Sequence, residues 1–149
     1  MPTLTGPITP LGAVIDILVG VSAPATMVLR RASKPIPQSV PLRADLDTGS
    51  FISCLDAQAI LVLGLHPAGQ RVLSTASTGA AMLPCDEYKV SLTIVHPSGN
   101  AALNRTLGLV TVADLPLAQT GIPALIGRDL LDRWEFLYDG RGGRFTLDY

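Results

Sequence analysis

The chain has 149 residues and a mass of 15.6 kDa, enough for one domain with a real core and too little for two, which excludes a bilobal enzyme. Hydrophobic residues make up 48% and charged residues only 15%, so the composition is that of a folding chain. With 11 basic and 12 acidic side chains the net charge is -1, which supplies no electrostatic footprint for nucleic acid or an anionic membrane surface.

Residues 1–12, with Pro2, Pro7 and Pro10, are expected to form an extended N-terminal arm ahead of a single domain over residues 13–149. Residues 13–21 alternate loosely around Asp16 and read as a strand. Residues 22–38 are broken by Pro24, Pro35 and Pro37 and carry Arg30, Arg31 and Lys34, which suggests a surface excursion with a short strand at 26–30. From Leu42 to Asp47 the alternation is clean, with Leu42, Ala44 and Leu46 on one face, and Thr48-Gly49-Ser50 ends the strand in a turn. A helix follows: Ser53 is expected to cap it, Leu55, Ala59, Val62 and Leu63 recur at helical spacing, and Gly64 stands at a left-handed stop.

Strands are then expected at 71–74 and 87–95, with the small residues Ala76-Ser77-Thr78-Gly79 as the tip of a hairpin. Further strands fall at 106–112 and 124–126, a short helix at 129–134, and a closing hairpin from 136–138 and 145–147 flanks Asp139-Gly140-Arg141-Gly142-Gly143. Many short strands and two short helices predict an all-β domain. Cys54 and Cys85 lie in no CxxC and beside no histidine, so they read as buried thiols, and no metal or cofactor is expected. The most apolar stretch, 11–29, is interrupted by Gly12, Asp16, Gly20, Ser22 and Pro24 and follows no basic segment, so a soluble, cytoplasmic chain without a membrane segment is expected. His66 and His96 each precede a proline and are expected to face solvent.

Two segments carry chemistry. Asp47-Thr48-Gly49-Ser50 places a carboxylate at the end of an apolar-faced strand, although the tripeptide alone is an ordinary strand-ending turn. Far downstream, Leu125-Ile126-Gly127 is an apolar strand that stops at glycine and passes through Arg128 and Asp129 into a helix. In this order the pair resembles the aspartic proteases, and its Ile-Gly-Arg-Asp-Leu-Leu run resembles the single-domain retroviral-type branch, the retropepsins, in a bacterial-type form. The resemblance covers residues 13–149, with 22–38 outside it.

That resemblance implies a retropepsin-like β-barrel, a two-fold homodimer and a peptide or protein substrate. Hydrolysis by this route needs one carboxylate to activate water and a second, protonated one to polarise the carbonyl, and the chain holds one Asp-Thr-Gly. An isologous dimer would bring Asp47 of two copies together. By the same resemblance Thr48 would bond across the axis, Gly49 would let backbone approach substrate, Leu125, Ile126 and Gly127 would lie behind the site, and Ala76 to Gly79 would form a flap. Where retroviral members carry Ala, Ser50 offers a hydroxyl to the catalytic carboxylate, from which an acidic optimum is expected. Phe51 and Ile52 stand where retroviral enzymes place a second Asp, so Arg128 is expected to find Asp129, Asp132 or a residue across the dimer. The aromatic C-terminal hairpin is the expected interface sheet.

Two other functions fit parts of the sequence. Asp45-Leu46-Asp47-Thr48 also matches the Asp-x-Asp motif of magnesium phosphatases of the haloacid dehalogenase type, with Asp45 and Asp47 at the metal, although Pro41 and Arg43 spoil a buried parallel strand. A catalytically silent, peptide-binding dimer of the protease fold is the other.

Overall fold

Alternating apolar side chains build the long strands: in β2 (Gly12–Val21) Ala13, Ile15, Ile17 and Val19 are buried, and in β6 (Leu83–Ile94) Tyr88, Val90, Leu92 and Ile94 are. The structure is a computed structural model that describes residues 1–74 and 82–149. Its remaining strands are β1 (Thr3–Thr9), β3 (Val40–Leu46), β4 (Cys54–Leu55), β5 (Gly69–Leu73), β7 (Arg105–Asp114), β8 (Ala124–Ile126), β9 (Glu135–Asp139) and β10 (Arg144–Asp148). The helices are α1 (Ala23–Arg31), α2 (Ala57–Leu63) and α3 (Arg128–Leu131).

The strand order is β5-β6-β7-β4-β8-β3-β2-β1-β10-β9, and an antiparallel pairing of β6 with β2 closes β2, β3, β8, β4, β7 and β6 into a six-stranded barrel. Among the described residues only β3–β8 and β4–β7 pair in parallel, and each of those ladders is short. Such a barrel offers no doubly wound parallel sheet, so the phosphatase alternative loses the scaffold that it needs. The main core fills the barrel, and a second cluster of Ile52, Cys54, Leu73, Cys85, Ala113, Leu115 and Leu117 packs beside it. Both cysteines are free and buried, and desolvation, helped by the charge of Asp129, pushes the Cys54 thiol up to about 12.

Several elements differ from the sequence expectation. The N-terminal residues are extended, as expected, but they belong to the sheet instead of standing ahead of it: β1 pairs with β10 from Thr3↔Asp148 to Pro7↔Arg144, then passes to β2 at Ile8↔Ala13. Pro7 sits on the last rung with β10, where a missing N–H interrupts the ladder least. Residues 23–31 form α1 instead of a surface strand. The Ser22 hydroxyl accepts from Ala25 N at 3.4 Å, Pro24 occupies the first turn where its absent N–H costs nothing, and Arg30 and Arg31 meet the negative end of the helix dipole. Helix α2 is capped by Asp56, not Ser53; its Oδ1 accepts from Gln58 N at 3.1 Å and its Oδ2 from Leu117 N at 3.0 Å. Gly64 ends α2 in the left-handed conformation, as expected, with φ 62°.

The β9–β10 hairpin forms as expected, but its aromatics divide. Phe145 and Tyr149 are buried in the chain's own core, where the Phe145 ring lies against Gly6, so they do not form an outer aromatic face. The Tyr149 hydroxyl donates to Leu103 O at 3.0 Å and its N–H to Pro2 O at 3.1 Å, tying the C-terminus to two distant segments. Tyr149→Phe is expected to lower unfolding stability by about 1 kcal/mol, read as a lower urea midpoint at unchanged m-value.

Candidate active site

Strand β3 delivers Asp47 to the end of the barrel. Ala44 and Leu46 point into the core, which leaves Asp45 and Asp47 on the opposite, partly open face. The Asp47 N–H donates to Ile126 O at 2.9 Å, extending the parallel β3–β8 ladder by one residue. Its carboxylate Oδ1 then accepts from Gly49 N at 2.8 Å, and Ser50 N donates to Asp47 O at 3.2 Å. Those two bonds fold Asp47-Thr48-Gly49-Ser50 into a tight turn with Thr48 and Gly49 exposed.

Beyond the turn the chain crosses the end of β8 and returns as β4 on its other side. Strand β8 therefore lies between β3 and β4, which are neighbours in sequence: Asp45 pairs with Leu125 on one edge and Cys54 with Leu125 on the other. The crossing demands glycine at 127 for space. A Cβ there would lie 2.6 Å from the Ile52 carbonyl carbon and 2.7 Å from its oxygen. Arg128 N donates to Ser50 O at 2.8 Å, and the Ile52 carbonyl accepts from the Ser50 hydroxyl at 2.6 Å.

Ser53, expected as a helix cap, instead pins the crossing. Its buried hydroxyl accepts from Gly127 N at 3.0 Å and donates to Asp129 Oδ1 at 2.8 Å. These partners are separated by 74 and 76 residues, and no local pattern in the sequence signals them. Asp129 is thus committed to Ser53. Arg128 is exposed, and its guanidinium forms no ion pair with the described residues.

Apart from Arg128, the expected site residues thus fall into two groups. Asp47, Thr48, Gly49 and Ser50 meet Ile126 and Gly127 at one place, with Leu125 one residue behind on β8. Ala76, Ser77, Thr78 and Gly79 lie outside the described residues. Ser50 departs from expectation because its hydroxyl donates to the Ile52 carbonyl and not to Asp47, so it braces the loop and gives no ground here for an acidic optimum.

Asp45 sits beside Asp47 and has its own electrostatics. Desolvation, then the charge of Asp47, raises its carboxyl above the ordinary 3.8, while the N–H groups of Leu46 and Ala13 oppose the rise. Gly12, at φ +100°, approaches Asp45 Oδ1 with no room for a side chain. His96 bonds Ser98 Oγ through Nδ1 at 2.7 Å and Thr3 O through Nε2 at 3.0 Å, serving the β1 anchor. Among the described residues no three His, Cys, Asp or Glu side chains gather as a metal site, and no helix is long and apolar enough to cross a membrane.

No protein-family model matches the chain, and no curated protein matches it. Among solved structures it is similar to a retropepsin-like aspartic protease from Rickettsia conorii, with 15% identity, a TM-score of 0.56, and coverage of 99% of this chain and 90% of that one. A likeness at that identity is a likeness of fold, and this chain has the retropepsin-like fold.

Two variants test this geometry. Gly127→Ala is expected to destabilise the chain by about 1–3 kcal/mol through the Ile52 contact, measured by urea unfolding. For Asp45, a folded value raised above the unfolded one means a contribution fully present below 3.8 and lost as pH rises through the folded value. Asp45→Asn is therefore expected to melt higher than the parent near neutrality, with the gap closing in acid; a gap independent of pH would contradict it.

Proposed function

We propose that the chain is an aspartic endopeptidase that acts as a two-fold homodimer, with one Asp47 from each copy. The observation that carries this reading is the Asp47-Thr48-Gly49 turn bonded to Ile126 and crossed at Gly127, on a fold shared with a retropepsin-like protease. A single carboxylate cannot both take a proton from water and give one to the scissile carbonyl. Two Asp47 carboxyls facing each other would hold one proton between them, the arrangement known from aspartic proteases as a class. The ionised member accepts the proton of the attacking water while the protonated member donates to the carbonyl oxygen. As the C–N bond of the tetrahedral intermediate breaks, the first carboxyl gives its proton to the departing amine and the second takes one back from a gem-diol hydroxyl, which restores the starting pair.

The neighbours take roles in this scheme. Thr48, exposed beside Asp47, bonds across the axis; Gly49 admits substrate backbone; Ser50 braces the loop through the Ile52 carbonyl. Leu125, Ile126 and Gly127 form the wall behind the dyad, and Ala76, Ser77, Thr78 and Gly79 serve as the flap. Exposed Arg128, at the start of α3, reaches for an acidic group of the other copy.

One feature of the terminal sheet supports a dimer. Strand β9 is its open edge and leaves Leu137 62% and Tyr138 54% exposed. An extended peptide would bind by main-chain hydrogen bonds to strand edges, with apolar pockets selecting side chains. Two free thiols fit a reducing, cytoplasmic compartment.

Incubation with a diverse peptide library, beside sedimentation analysis, tests the proposal. The parent is expected to cleave peptides as a dimer with a bell-shaped pH profile, and Asp47→Asn to cut the rate by about 100-fold or more. Equal cleavage by both proteins, or activity in a strict monomer, would overturn it; binding without cleavage by the parent would instead indicate a silent peptide-binding dimer.

A further inference from the structure

Immediately after the Asp47 to Ser50 turn, Phe51 opens a cavity of about 350 Å³ that none of those four residues lines. Its walls combine two kinds of surface. Phe51 and Leu109 are 50% and 56% exposed, two large apolar side chains left in water at its mouth. Around them stand Arg71, Lys89 and Arg133, with Asp129 as the one acidic side chain in the wall.

The charges do not cancel. Arg71 is paired with Glu87 at 2.6 Å, and Asp129, whose Oδ1 accepts from the neutral Ser53 hydroxyl, keeps its own negative charge in the wall. Lys89 donates to the Thr111 hydroxyl, which satisfies a hydrogen bond and leaves its charge uncompensated. Arg133 forms no ion pair with the described residues. Lys89 and Arg133 against Asp129 thus leave the wall with a net positive charge beside two exposed apolar side chains. Two cations are too few to hold a nucleic-acid backbone, and a bare inorganic anion would leave Phe51 and Leu109 in water.

We infer that this cavity is an accessory peptide-binding site that takes an acidic side chain flanked by a bulky apolar one. The carboxylate meets Lys89 and Arg133 through charge-assisted hydrogen bonds, and the apolar neighbour covers Phe51 and Leu109. Because Phe51 adjoins the Asp47 turn, a peptide held here continues toward the cleft, so acidic segments some residues away from the cut raise affinity without touching the dyad. The choice of a peptide as occupant rests on the endopeptidase reading, and it names the substrate class for that reading.

The test measures binding to full-length protein carrying Asp47→Asn, so that turnover does not intrude. The probe is a fluorescent acetylated nonapeptide with a Leu-Glu-Phe core, compared with its Leu-Gln-Phe counterpart. The glutamate peptide is expected to bind roughly fivefold tighter, as for a partly exposed charge-assisted contact, with the advantage shrinking as salt rises. Arg133→Gln and Lys89→Gln are expected to erase the advantage, and Arg133→Lys to keep part of it, which separates lost recognition from misfolding. Equal affinity for the two peptides, or an advantage that survives both glutamine variants, overturns the inference. The two readings fail separately: cleavage without acidic preference sinks only this site, and acidic preference without cleavage by the parent sinks only the endopeptidase.

Discussion

The approach of Gly127 to the Ile52 backbone is the constraint that organises this end of the molecule. Two strands adjacent in sequence, β3 and β4, are held apart by β8, and the connecting loop has to pass over the end of the intruding strand. Any side chain at 127 would push that loop outward. With none there, the Asp47 N–H reaches Ile126 O, Arg128 N reaches Ser50 O, and the Asp47 carboxylate is set at the barrel's end by backbone bonds on both sides of the crossing. A carboxylate placed by a rigid scaffold keeps its geometry without depending on its own rotamer freedom.

The hydroxyls around the turn show how the loop keeps its shape. Ser50 and Ser53 are both spent inside the crossing, one on the Ile52 carbonyl and the other between Gly127 N and Asp129. The Ile52 carbonyl also accepts from the Cys54 thiol at 3.5 Å, so a single peptide group gathers contacts from both ends of the loop. Among the described residues the Asp47 carboxylate has one backbone donor, Gly49 N, while Asp45 two residues earlier is partly desolvated and feels its charge. At this crossing the buried Ser53 hydroxyl is satisfied on both sides, whereas the Asp47 carboxylate stays partly accessible.

Much of the fold was legible because the signals were local. The strand ending at Leu46, the left-handed stop at Gly64, the short strand 124–126 and the closing hairpin all follow from side-chain alternation or turn chemistry within a few residues. Helix α1 was also written locally, in Ser22 and Pro24, but three prolines in residues 22–38 suggested an irregular excursion, and a helix with no buried residue shows no apolar stripe to correct that reading. The pairing of β1 with β10 joins the two ends of the chain, and nothing near Thr3 announces Asp148.

From residue order alone came the all-β class, the paired motifs at Asp47 and Gly127, and the deficit of a second carboxylate, since each depends on residue type and short-range spacing. Tertiary structure alone decided that Ser53 joins Gly127 to Asp129, that Ser50 turns from Asp47 to a carbonyl, that Phe145 and Tyr149 face inward, and that Arg128 stays in solvent. The physical reason is the same in each case. A hydrogen bond or a packing contact is chosen by what the closed barrel brings within about 3 Å, and sequence neighbours do not encode which distant strand will supply it.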